Sequence, residues 1–71
     1  MNNIEKHEKA IEILEAINHF NSMIKLNQET IDGAIGKLFP ELVAKYTKEI
    51  SIHLNYIKRL EERYEKLIKT L

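Results

Sequence analysis

A chain of 71 residues in which 11 Lys plus Arg balance 11 Asp plus Glu carries no formal net charge, so it has no one-signed field to gather nucleic acid or an anionic membrane from a distance. It has no cysteine, which excludes disulfides and thiolate zinc sites and leaves self-association as the leading way for so small a chain to complete a core. No apolar run approaches the roughly 20 residues of a membrane-spanning helix, and Met1-Asn2-Asn3-Ile4-Glu5-Lys6 lacks the basic-then-apolar order of a signal peptide, so a cytoplasmic protein is expected.

The first predicted element is a helix over about 3–37. Asn2 or Asn3 can accept backbone N–H bonds as its N-cap, and Glu5 and Glu8 fall where the helix dipole favours negative charge. Ala10, Ile13, Ile17, Phe20, Ile24, Asn27, Ile31, Ala34 and Leu38 recur at spacings that alternate three and four, the a/d seam of packed helices. Gly33 and Gly36 each cost about 1 kcal/mol against alanine inside a helix. Because the apolar register persists past Asn27-Gln28-Glu29-Thr30, the expectation is one continuous helix that bends or frays there. By that register both glycines face outward and loosen the helix without making close contact.

A turn follows over about 36–40, where Pro40 suits the first turn of a new helix and biases Phe39 towards extended backbone. The second helix is predicted over about 41–70, a rod of roughly 45 Å. Its seam reads Val43, Tyr46, Ile50, His53, Ile57, Leu60, Tyr64, Leu67 and Leu71. The predicted fold is therefore all-α: a single helical-hairpin domain over residues 1–71, two long antiparallel helices with a coiled-coil-like seam.

Both seams are wider than a two-stranded coiled coil requires. Leu14 and Ile35 flank the first, among His7, Asn21 and Gln28; Leu54 and Ile68 flank the second, with Thr47 and Glu61 between them. Three apolar positions in seven is the pattern of helices in a bundle, so the hairpin is expected to assemble into a four-helix bundle as a homodimer or larger oligomer. Met23, Leu26 and Phe39, with Ile11, fall off the stripe, and the first three are candidate contacts for a partner. Folding back also sets Glu5, Glu8, Glu12 and Glu15 beside the basic end of the second helix. That charge match is expected to select the register, though exposed pairs contribute only about 0–1 kcal/mol each.

Each seam has one polar interruption, Asn27 and His53, equidistant from Pro40. A hairpin folded at Pro40 would bring them level, so a polar core layer is expected in which Asn27 hydrogen-bonds His53 and specifies pairing. The sharper reading of the same layer is a ligand pocket or a pH-sensitive element. His7, His19 and His53 have no glutamate three residues before them, so the ligand spacing of di-iron bundles is missing and neither metal nor cofactor is expected. There is no Gly-rich phosphate loop and no Ser-His-acid set on supporting loops, so an enzyme is not expected. Lys58, Arg59, Arg63, Lys66 and Lys69 form a candidate anion- or RNA-binding strip, diluted by Glu61, Glu62 and Glu65. The expected function is that of a non-enzymatic interaction or adaptor protein whose partners are a second copy of itself and another macromolecule. The alternative is a small regulatory or sequestering protein that takes an anionic ligand or RNA on the basic strip or between subunits.

Overall fold

The computed structural model describes residues 1–71, which form three helices: α1 (Asn3–Asp32), α2 (Ala34–Leu38) and α3 (Pro40–Ile68). The long pair α1 and α3 lie antiparallel and make a rod of 53 × 14 × 12 Å. Its radius of gyration is 16.1 Å, against about 11 Å for a globular domain of this length.

α1 begins where a capping residue allows. The Asn2 side chain accepts from the Glu5 backbone N–H at 2.8 Å, and its amide donates to the Glu5 carboxylate at 3.3 Å. This reciprocal pair satisfies one of the orphan donors of the first turn.

α1 ends earlier than the seam pattern predicts. Gly33 is extended (φ −89°, ψ −166°), so the helix expected to run continuously over about 3–37 is interrupted, and α2 is a separate short piece. Glycine gains most conformational freedom on leaving a helix, so the break falls there. Gly36 has a different role from the loosening expected of it. A Cβ at this position would collide with the Ile31 carbonyl oxygen and lie 2.7 Å from the Ile31 carbonyl carbon, so α2 tucks against the last turns of α1 at a distance only glycine permits. With the helix broken, Ala34 and Leu38 leave the seam and are exposed.

The turn closes through Phe39, whose N–H donates to the Ile35 carbonyl at 2.9 Å and whose carbonyl accepts from the Leu42 N–H at 2.9 Å. Pro40 opens α3, where its missing N–H is no loss. The Lys69 N–H makes a last α-type bond to the Glu65 carbonyl, and two tighter bonds, from Thr70 to Leu67 and from Leu71 to Ile68, finish the helix.

The fold-back point sets which residues meet. Lys6 Nζ donates to the Thr70 carbonyl, Phe20 stacks on Tyr56, and Asn27 bonds Glu49. All three pairs share a midpoint at Leu38, two residues before Pro40. The seam therefore pairs about one helical turn away from the register of a hairpin folded at Pro40. Ala10, Ile13, Asn27 and Ile57 are buried, the inner seam residues on either side are half-buried, and no side chain is fully enclosed. Two helices cover only one stripe of each other, which is why so little is sealed.

Candidate functional site

The polar interruptions of the two seams do not pair with each other. Asn27, 5% exposed, directs its amide across the hairpin to the Glu49 carboxylate at 3.4 Å. His53 lies four residues further along α3, about 6 Å at the helical rise. Its ring packs against Phe20 with centroids 5.6 Å apart, and its buried Nδ1 has no hydrogen-bond partner. Phe20 in turn stacks on Tyr56 at 5.3 Å and meets the edge of His19 at 5.4 Å. The expected Asn27–His53 bond is thus replaced by two neighbouring units, an Asn27–Glu49 amide–carboxylate pair and a Phe20-centred aromatic cluster. The cause is the fold-back at Leu38, which slides α3 by a turn against α1. Glu49 was visible in the sequence only as a carboxylate one turn before His53, flanking the seam.

The basic strip divides in space. Arg63 and Lys66 line a groove with Lys9 of α1 at the end of the hairpin away from the turn. Lys58 and Arg59 line a separate, wholly polar hollow with Asn55 and Glu62. Lys69 lines neither. The separation follows from helical geometry, because positions four or five apart rotate around the axis and a linear cluster of cations wraps the helix. None of the five makes an ion pair; Lys9–Glu12, at 3.5 Å within α1, is the one ion pair in the structure. No charge pair spans the two helices, so the expected register selection by acidic and basic ends is not made through direct ion pairs. Exposed Lys, Arg and Glu keep more free energy as hydrated, mobile side chains than they gain from a fixed pair.

Of the candidate partner contacts, Leu26 and Phe39 are exposed and Met23 is half-buried beside the seam. Leu14, Leu54 and Ile68, the flanking positions of α1 and α3 that widen the stripe, remain between 40% and 53% exposed; the fourth, Ile35, lies in α2 and is also exposed. In an antiparallel pair, equivalent flanking positions of the two helices lie on one side, so these three belong to a common flank. Ile4 and Ile11 border it on α1 and are also exposed. α3 is sharply two-faced, while α1 carries apolar side chains around much more of its circumference.

No group of three or more His, Asp or Glu side chains is arranged to hold a metal ion, and no helix is long and apolar enough to cross a membrane. Neither a protein-family model, nor a curated protein, nor a solved structure matches the chain.

Proposed function

We propose that the protein is a non-enzymatic, self-associating helical interaction module. Two hairpins pack through the flank that carries Leu14, Leu54 and Ile68 to form a four-helix bundle, and the outer face of the bundle, with Leu26 and Phe39, docks a macromolecular partner.

The observation that supports this most directly is surface area. The hairpin exposes 5445 Å². A globular monomer of its 8.4 kDa mass exposes about 4,600 Å². The difference, about 800 Å² per chain, equals one partner's share of a standard protein–protein interface. A bundle buries area of this size, and the exposed flank supplies the apolar side chains to fill it.

Sedimentation equilibrium across a concentration series, with circular dichroism on the same samples, tests the reading. A highly helical dimer or larger oligomer is expected. A stably folded monomer throughout would overturn it.

A second reading is favoured by one specific feature: Lys58, Arg59, Arg63, Lys66 and Lys69 are all without ion pairs. On this reading the bundle sequesters an anionic ligand or RNA through these cations. Binding of RNA would then weaken steeply with added salt, because each neutralised phosphate releases counterions; salt-insensitive binding would exclude it.

A further inference from the structure

At the end of the hairpin away from the turn, a groove of about 340 Å³ runs between α1 and α3. Its apolar part is Ile13, one of the few buried residues, together with Leu67 and the exposed Met1. Around them stand three cations, Lys9 from α1 and Arg63 and Lys66 from α3, with Thr70 at the end. No carboxylate lines it.

Two features keep the cations available. Arg63 and Lys66 have no ion-pair partner in the protein. Lys9 reaches Glu12 only at 3.5 Å, an exposed pair three residues apart, and such pairs hold about 0–1 kcal/mol, so the ammonium can turn to a ligand at little cost. The partial negative charge where α3 ends is met separately, because Lys6 Nζ donates to the Thr70 carbonyl at 2.9 Å and ties the two helix ends together. The groove therefore combines an electropositive rim with an apolar floor on a braced end of the hairpin.

We propose that this groove binds a small amphipathic anion, a short apolar chain that ends in a phosphate or carboxylate. The head group takes charge-assisted hydrogen bonds from Arg63, Lys66 and Lys9, and the chain lies on Ile13 and Leu67. A volume near the lower end of the roughly 300–1,000 Å³ typical of small-molecule sites suits a short chain. The proposal shares Arg63 and Lys66 with the RNA or anion reading above but needs neither Lys58 nor Arg59. It is also separate from the bundle interface, because Arg63 and Thr70 flank the seam of α3 on the side opposite Leu54 and Ile68.

The probe is octyl phosphate below its micelle concentration, titrated into the protein and followed by calorimetry and by backbone amide shifts. Saturable binding is expected, with shifts centred on Ile13, Lys9 and Leu67. Arg63→Gln combined with Lys66→Gln should weaken it about tenfold or more, the loss of charge-assisted contacts, and should leave helicity unchanged because both side chains are exposed. Lys58→Gln combined with Arg59→Gln should change it less than about twofold. Inorganic phosphate and octanol should each bind much more weakly than octyl phosphate. Octanol binding as tightly would show an apolar patch without anion recognition, and phosphate binding as tightly would show a cation cluster without the apolar floor. Equal loss in the Lys58 and Arg59 variant would show a diffuse basic strip. Binding of phosphatidylglycerol–phosphatidylcholine vesicles without binding of the soluble probe would show adsorption to a surface. Any of these four results overturns the proposal.

Discussion

Asn27 and Glu49 meet across the hairpin at 3.4 Å, and they do so in place of Asn27 and His53. The buried amide therefore finds a carboxylate that can still reach water, and the half-buried ring of His53 is left to pack on Phe20. A long, partly exposed hydrogen bond of this type contributes about 0.5–1.5 kcal/mol net.

This relationship predicts a double-mutant cycle. Urea denaturation of Asn27→Ala, Glu49→Ala and the double variant should give a coupling energy of about 0.5–1 kcal/mol. The same cycle for Asn27→Ala and His53→Ala should give a much smaller coupling, since the two side chains are not bonded. Stronger coupling to His53 than to Glu49 would place the fold-back at Pro40 and refute the register described above.

The Nδ1 of His53 is buried without a partner, and an unsatisfied buried polar atom costs about 1–3 kcal/mol. His53→Phe keeps an aromatic ring against Phe20 and removes that atom. The variant should be more stable by about 1 kcal/mol, with unchanged helicity, in chemical denaturation. A loss of stability of similar size would show that the imidazole nitrogen has a partner in solution, in the bundle or from water.

The seam was legible because burial follows periodicity. Ala10, Ile13 and Ile57 were assigned to it from spacing alone and are the buried apolar residues of the structure. The fold-back point was not legible, because it depends on a close approach between two backbone segments. Gly33 and Gly36 look alike in sequence; one ends a helix, and the other lets α2 lie against Ile31. Every cross-hairpin partner inherits that shift, which is why Asn27 was recognised as a polar seam residue while its partner was misassigned. The spatial division of the basic strip was not legible for another reason: neighbours along the chain diverge around the helix, and the third cation of the groove, Lys9, comes from the other helix.

Gly36 offers the direct test of that close approach. Gly36→Ala places a methyl group against the Ile31 backbone, which cannot move without displacing α2. The expected destabilisation is about 1–3 kcal/mol, the usual range for overpacking, despite the higher helix propensity of alanine. Gly33→Ala meets the Glu29 carbonyl oxygen at 3.0 Å and the Thr30 carbonyl oxygen at 3.9 Å and should cost less. If Gly36→Ala stabilised the protein as propensity alone dictates, α1 would be continuous through the turn.

Leu54 distinguishes a hairpin that is complete alone from one that needs its own copy. It is 53% exposed in the single chain, and an exposed leucine replaced by glutamate normally changes stability by less than about 0.5 kcal/mol. In a bundle that buries this flank, Leu54→Glu strands a carboxylate in each half of the interface, and an uncompensated buried charge costs several kcal/mol. Each 1.4 kcal/mol raises the dimer dissociation constant about tenfold, so Leu54→Glu should shift assembly by two or more orders of magnitude in sedimentation equilibrium. Leu26→Glu, on the opposite flank and 55% exposed, should leave assembly unchanged. If Leu26→Glu dissociates the oligomer and Leu54→Glu does not, the copies pack through the flank assigned here to a partner. If neither variant changes the state of a protein that is a helical monomer throughout, the exposed apolar flank is not an interface between copies.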